Sequence, residues 1–194
     1  MAQTLQLVLK TTLFHKASPL LITPELVEYR NNSLSKFEIA ELRYGVKAIK
    51  GYRFVIGRIY CIDIKSLAGS IIKIRLTSLY RVRKNKLGEK YLLIVNTVIE
   101  NFINNIARDL INNFNDKIDF DILGVVFTQE GIQFDKNTEI ISWFDAGSKN
   151  YRTYFALFSH SNPNKYKAFQ YITDWNTILL RAVTEHILKS EKLL

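Results

Sequence analysis

Apolar and polar residues alternate along several segments of the chain. Successive side chains of a β-strand point to opposite faces of a sheet, so this alternation predicts strands. The clearest predicted strands cover residues 5–9, 20–30, 52–65 and 71–82. The second of these is interrupted at Thr23-Pro24-Glu25, where proline cannot donate to a sheet ladder. Shorter strands are predicted at 122–127, 131–134, 139–144 and 151–160.

Two other segments repeat their apolar residues at three- and four-residue spacing, which predicts amphipathic helices. The first covers residues 90–115 and carries several asparagines, including Asn101, on its polar face. The second covers residues 165–189 and follows the helix-start sequence Ser161-Asn162-Pro163-Asn164. The predicted fold class is therefore α+β, with antiparallel sheets and two long amphipathic helices.

Two parts of the chain also resemble each other. Residues 20–29 (LLITPELVEY) and 125–134 (VVFTQEGIQF) place Thr and Glu at the same spacing between apolar positions. Strands and one long helix follow in both cases, so the sequence predicts two units joined near residues 115–119. We assign residues 1–117 to the first unit and residues 118–194 to a second, shorter unit. Whether the two form one compact domain stays open.

These phrases, together with FEIAELRYG, EIISWFDAG and the Trp of Thr173-Asp174-Trp175-Asn176, resemble bacterial pleckstrin-homology-like domains. The resemblance implies a curved antiparallel sheet that is capped by a helix and used for binding, with no catalytic centre. A full domain of this family uses seven strands, and only about four are predicted between residues 122 and 160. The resemblance implies two copies of the fold, arranged in tandem or intertwined, and the two units are therefore expected to complete each other.

Positive charge is concentrated in one region. Residues 41–90 hold thirteen Lys or Arg and three acids, a formal charge of +10, whereas the whole chain carries +9. On a strand over residues 71–82 the cations would share one face. The predicted basic β face consists of Arg53, Arg58, Lys65, Lys73, Arg75, Arg81, Arg83, Lys84 and Lys86. All of them except Lys65 are predicted to contact a partner.

Clustered cations attract anionic partners. The first expectation is a protein with an acidic surface, which suggests a non-catalytic inhibitor or immunity-type protein. The alternative is a peripheral membrane module that binds anionic lipid head groups. A solvated face that protects the sheet edges would carry the same charges. Nucleic acid is less favoured because the aromatic residues share the apolar strand parity, which does not suit base stacking. A homodimer stays open.

No sequence motif points to catalysis, a cofactor or a metal. His15, His160 and His186 are far apart and lack other ligands at metal-binding spacing. The single cysteine, Cys61, lies in an apolar run and is expected to be a buried thiol in a reducing cytoplasm. The sequence shows neither a signal peptide nor a membrane span, which predicts a soluble cytoplasmic protein. The aromatic residues around Trp143 and Tyr151–Phe158 are expected to form core, and any exposed remainder to mark an interface.

Overall fold

The computed structural model describes residues 3–10, 17–80, 82–135 and 138–191. The predicted α+β class is confirmed, since four antiparallel sheets are combined with helices. The chain divides into two compact units, residues 1–103 and 104–194. This division lies inside the long helix, whereas the boundary predicted from the sequence follows that helix.

The first unit consists of two antiparallel meanders and a helix. The four-stranded meander contains β1 (Leu5–Leu9), β2 (Ser18–Ile22), β3 (Leu26–Tyr29) and β4 (Asn32–Ser35). The three-stranded meander contains β5 (Ile39–Lys50), β6 (Val55–Ser66) and β7 (Ile71–Leu79). Helix α1 (Lys84–Val98) follows and continues into a π-helical turn (Ile99–Ile103).

The second unit has the same order of meanders followed by a helix. Its strands are preceded by helix α2 (Asn104–Asn115). The four-stranded meander contains β8 (Phe120–Ile122), β9 (Val125–Phe127), β10 (Gly131–Phe134) and β11 (Ile141–Ser142). The three-stranded meander contains β12 (Ala146–Asn150), β13 (Tyr154–Ser159) and β14 (Tyr166–Gln170), and helix α3 (Thr177–Glu191) follows. The expectation of about four strands was wrong, because β8 has only three residues, β12 (AGSKN) has no large apolar residue to alternate, and β14 lies in the segment predicted as a helix.

The β2–β3 and β9–β10 turns, which carry the Thr-x-Glu sequence, have the same hydrogen bonds in both units. The backbone N–H of Thr23 donates to Leu26 O at 2.9 Å, and that of Thr128 donates to Gly131 O at 2.9 Å. Each threonine hydroxyl also accepts from the backbone N–H groups two and three residues later, at 3.1–3.2 Å. The threonine thus fixes both turns through its side chain, and the side chain of the glutamate takes no part in these bonds.

Both predicted helices begin at different residues from those expected. Helix α1 starts at Lys84 instead of residue 90, because Arg83 has a left-handed backbone (φ 58°) and ends the preceding extended chain. Helix α3 starts at Thr177 instead of residue 165, and residues 166–170 form β14. Asp174 accepts a hydrogen bond from the backbone N–H of Gln170 at 2.7 Å, which closes the turn between β14 and α3.

The core of the first unit lies between one face of the three-stranded meander and the helix. Ile62, Ile64 and Ile74 on the sheet are at most 1% exposed, and Ile94 and Val98 on α1 are fully buried. The predicted apolar stripe of the helix therefore does face the sheet. Asn101, which was expected on the polar face, is instead buried in the π-helical turn. Its side chain bonds both backbone groups of Gln3, at 2.8 and 3.0 Å.

The opposite face of the same sheet is organised around one buried acid. Asp63 on β6 is 4% exposed and forms ion pairs with Arg43 on β5 (2.9 Å) and Arg75 on β7 (2.5 Å). Arg75 also donates to the carbonyl oxygens of Ile62 and Ile74. Glu41 and Lys65 pair at 2.5 Å on the same face. Much of the positive charge on this face is thus neutralised within the sheet.

We predict that Asp63→Ala lowers the free energy of unfolding by about 3–5 kcal/mol, because it leaves two arginines without their buried counter-charge. Urea denaturation measures the loss. Lys73→Ala is the control, since Lys73 is an exposed cation on the same sheet face, and it should change stability by no more than about 0.5 kcal/mol. Equal effects of the two substitutions would contradict this role of Asp63.

Candidate functional site: a basic aromatic tip on the first unit

The structure does not place the eight predicted contact residues on one sheet face. Strand β7 ends at Leu79, so only Lys73 and Arg75 share the predicted face. Arg58 pairs with Ser78 and lies on the opposite face. The remaining described residues of the eight lie outside the strands: Arg53 is in the β5–β6 loop, Arg83 caps α1, and Lys84 and Lys86 are in its first turn. Arg81 lies outside the described residues.

Arg75 was predicted to contact a partner, and the structure corrects this prediction. Its guanidinium is committed to Asp63 and to two backbone carbonyl groups, so it stabilises the sheet. Lys65 is likewise paired, with Glu41. An external anion that bound Arg75 or Lys65 would therefore have to replace an ion pair inside the sheet.

The cations that remain gather at one end of the first unit. Because β5, β6 and β7 are antiparallel, the β5–β6 loop and the exit from β7 lie at the same end of the sheet. We call residues 47–58 together with residues 78–80 and 82–88 the basic tip. These residues hold seven cations and no Asp or Glu. The cations are Lys47, Lys50, Arg53, Arg58, Arg83, Lys84 and Lys86. Among the described residues, none of the seven forms an ion pair.

Large apolar side chains are exposed on the same tip. Tyr52 is 96% exposed, Phe54 77% and Tyr80 75%, and Val55 and Val82 are more than half exposed. The guanidinium of Arg53 lies 5.3 Å from the centre of the Tyr52 ring. Single exposed apolar residues are common on protein surfaces, but a group rimmed by charge marks an interaction site.

Backbone hydrogen bonds hold the two loops of the basic tip together. The N–H of Gly51 donates to Phe54 O at 2.8 Å, which closes the β5–β6 turn. The N–H of Tyr80 donates to Ile56 O at 2.7 Å, which joins the exit from β7 to that turn. Tyr80 has a left-handed backbone (φ 47°), an uncommon conformation for a bulky residue. The exposed side chains are therefore carried by a fixed backbone.

Two hollows lie in the basic tip. The first has a volume of about 520 Å³ and is lined by the apolar segment 54–57 and by Arg58, Ser78, Tyr80 and Lys84. The second has a volume of about 540 Å³ and is lined by Arg83, Lys84, Asn85 and Lys86. Gly57 keeps the strands close beneath the first hollow, since a Cβ atom there would come within 2.5 Å of Ser78 O.

The start of α1 places like charges together. Lys84 and Lys86 lie in its first turn, and no acidic residue is present there. The N-terminus of a helix carries partial positive charge, so cations at this position are unfavourable. This arrangement costs stability, and an external anion near the tip would relieve it.

The other end of the same sheet offers a natural contrast. Phe37 and Leu67 are 79% and 77% exposed in the turns before β5 and after β6. Acidic side chains accompany them, since Glu38 bonds Ser35 and Glu25 pairs with Lys36. Exposed apolar residues alone therefore do not distinguish the two ends, whereas the unpaired positive charge does.

The sequence contained a signal for the basic tip, but the prediction of continuous strands from alternating residues concealed this signal. Between Glu41 and Glu89 the only acid is Asp63. Tyr52, Phe54 and Tyr80 were placed on the apolar parity of the predicted strands, away from the basic face. The loops that expose them begin where β5 and β7 end.

One other cluster has the residue types of a catalytic triad, but its geometry is that of a turn. Asp145 accepts from the hydroxyls of Ser159 (2.5 Å) and Ser161 (2.9 Å) and from the backbone N–H of Ser161 (2.7 Å). In a Ser-His-Asp triad the imidazole lies between the hydroxyl and the carboxylate, and here both hydroxyls bond the carboxylate directly. The hydrogen bond from Ser159 is the main reason that the pKa of Asp145 is lowered.

The remaining candidate groups are structural. Cys61 is buried, and burial raises the pKa of its thiol, which disfavours the reactive thiolate. Asp121 accepts from the backbone N–H of Gly124 at 3.2 Å in a tight turn. No group of three His, Cys, Asp or Glu side chains that could hold a metal ion occurs in the described ranges.

Comparisons with known proteins leave the geometry as the basis for assigning the site. No protein family, curated protein or solved structure matches the chain. Within the part of the chain that the structure describes, none of the helices combines the length and the apolar character needed to cross a membrane.

We predict that the Asp145→Asn variant is less stable than the wild type at pH 7 and that this difference shrinks as the pH falls. The pKa of Asp145 is lowered by folding, so its stabilisation is present above the unfolded pKa of about 4 and is lost as the pH drops through the folded value. Urea midpoints of both proteins, measured at pH 7 and at a pH below about 4, give the difference in stability at each pH.

The control is Asp116→Asn, which removes an exposed loop carboxylate. A gap between the wild type and Asp145→Asn that stays constant from neutral to acidic pH would argue against this role of Asp145.

Proposed function

We propose that this protein is a non-catalytic peripheral membrane module that binds anionic lipid surfaces through the basic tip. The observation that carries the proposal is the joint presence of exposed aromatic side chains and unpaired cations on two loops without any acid. This is the alternative drawn from the sequence, and the geometry supports it better than the first expectation.

Aromatic side chains favour the boundary between water and lipid because one part of the ring system is apolar and another can stay hydrated. Tyr52 and Tyr80 carry hydroxyl groups, while Phe54, Val55 and Val82 can enter the apolar layer. The surrounding Lys and Arg side chains can reach lipid phosphates. A protruding loop tip suits a flat, deformable surface of this kind.

Charge alone would give weak binding. Each cation near an anionic surface contributes about 1 kcal/mol, so if four of the seven cations of the tip reach the surface together, they supply about 4 kcal/mol. That corresponds to roughly millimolar affinity. Burial of a large apolar side chain adds about 1.5–3 kcal/mol when it is complete. The exposed aromatic residues would therefore decide whether binding is strong enough to matter.

The proposal also includes a fold assignment that is more specific than the α+β class. Each unit has a four-stranded meander, a three-stranded meander and a closing helix, which is the arrangement implied by the resemblance to pleckstrin-homology-like domains. We therefore assign a pleckstrin-homology-like fold to both units, and such a fold carries binding surfaces on its loops and sheets. The inner face of a cytoplasmic membrane, which is anionic, would be a suitable target.

An acidic protein partner, which was the first expectation, would use the same cations. Protein interfaces also use exposed aromatic residues, so Tyr52, Phe54 and Tyr80 would serve such a partner too. The membrane is preferred because apolar side chains and cations on one tip match the two layers of a lipid boundary. The inhibitor or immunity-type role stays a prediction. Binding of the wild type to an acidic polypeptide such as polyglutamate, without binding to anionic vesicles, would favour the protein partner.

We expect the double variant Phe54→Ala, Tyr80→Ala to bind vesicles of mixed phosphatidylcholine and phosphatidylserine roughly thirtyfold more weakly than the wild type. The loss corresponds to about 2 kcal/mol of apolar burial at the lipid boundary. Sedimentation with vesicles measures it. The matched control is Phe37→Ala, Leu67→Ala, which removes two apolar side chains of nearly equal exposure at the other end of the sheet.

Circular dichroism and thermal unfolding establish that both variants are folded. If the folded wild type does not bind these vesicles, the proposed function is wrong. If the tip variant and the control variant bind equally, the aromatic contribution is wrong.

We also expect vesicle binding by the wild type to weaken with salt without disappearing. Between about 0.05 and about 0.5 M salt, screening removes most of the attraction between exposed charges. The apolar contribution persists under these conditions. Sedimentation across this range measures both parts, and a complete loss of binding at high salt would indicate that charge acts alone.

A further inference from the structure

The second unit repeats the backbone arrangement of the basic tip at the corresponding place. Between β12 and β13 the N–H of Tyr151 donates to Tyr154 O at 2.9 Å, as Gly51 does to Phe54 O between β5 and β6. The N–H of Tyr171, just after β14, donates to Thr153 O at 3.1 Å and holds the exit from β14 against this turn. Two loops are thus joined at one end of the three-stranded meander in each unit.

The β12–β13 turn is also similar in charge. The segment 146–173 contains no Asp or Glu, whereas Asp174 follows in the turn between β14 and α3. The cations of the segment are Lys149, Arg152, Lys165 and Lys167. Lys165 pairs with Glu139 and Lys167 with Asp135. Lys149 and Arg152 are exposed, and neither forms an ion pair among the described residues.

Aromatic side chains surround these two cations. The rings of Tyr151 and Tyr154 stack at 4.4 Å, and the ammonium group of Lys149 lies 5.2 Å from the Tyr151 ring centre. This contact corresponds to the one between Arg53 and Tyr52 in the first unit. The pKa of Tyr154 is raised, first by desolvation and then by its neighbours Tyr166 and Tyr151, and Tyr166 is 49% exposed. The tyrosines therefore form one connected, partly exposed group.

We propose that Lys149, Tyr151, Arg152 and Tyr154 form a second tip that binds the same anionic lipid surface, so that one chain has two membrane contacts. This inference rests on the proposed function of the first tip. Tyrosines at this position suit the polar boundary of a bilayer, and the two cations suit lipid phosphates. Where both tips engage one vesicle, engagement of one raises the effective concentration of the other at the membrane.

The test compares two variants that remove the same charge. Lys149→Gln, Arg152→Gln neutralises the second tip, and Lys117→Gln, Lys189→Gln neutralises two exposed lysines elsewhere in the second unit. The probe is the same mixed phosphatidylcholine and phosphatidylserine vesicle, with the full chain in every case. The second-tip variant should bind about thirtyfold more weakly, since each cation at the surface contributes roughly five- to sixfold. The control should stay within about threefold of the wild type.

Three outcomes are informative. A loss confined to the second-tip variant supports the inference. Equal binding by the second-tip and control variants overturns the second tip and leaves the first tip standing, provided that Phe54→Ala, Tyr80→Ala still reduces binding. Absence of vesicle binding by the wild type overturns the proposed function and the second tip together.

Discussion

The burial of an apolar helix stripe against a three-stranded meander is the constraint from which the proposed site follows. Antiparallel strands place alternate loops at opposite ends of a sheet, so the β5–β6 loop and the exit from β7 must lie together. Helix α1 has to start at that end if Ile94 and Val98 are to cover Ile62 and Ile74 on the way back. The start of the helix is thereby brought beside Tyr52 and Phe54. The basic tip is a consequence of how the core closes.

The charges of the basic region serve two different purposes according to their position. Those at the centre of the sheet surround Asp63, a buried acid whose partners Arg43 and Arg75 complete the sheet face. Those at the tip have no acid to pair with, and three of them lie at a helix terminus that disfavours positive charge. Proteins tolerate such local costs where a ligand can offset them. The net charge of the region alone does not separate these two groups.

Much of the fold could be predicted from sequence periodicity, and the exceptions have physical reasons. The alternation over residues 71–79 was sufficient to predict β7, and the apolar stripe to Phe114 was sufficient to predict the long helix. Long segments average out single deviations from the pattern. The strands missed in the second unit were β8, which has three residues, β12, whose sequence AGSKN has no large apolar residue, and β14, which was included in the predicted helix. The candidate site was only half predictable. Its cations were evident from the sequence, whereas the left-handed residues Tyr80 and Arg83, which end the strand and redirect those cations, had no sequence signal.

The most direct test of the account places a fluorescent label at the tip and follows its environment. Cys61 is buried and its thiol pKa is raised, so a cysteine introduced as Tyr52→Cys should react with an environment-sensitive dye in preference to it. On addition of vesicles containing phosphatidylserine, the emission of this label should shift to the blue, while a label at Phe37→Cys should not change. A label at position 52 that stays in water while the protein is bound to the vesicles would contradict the central claim.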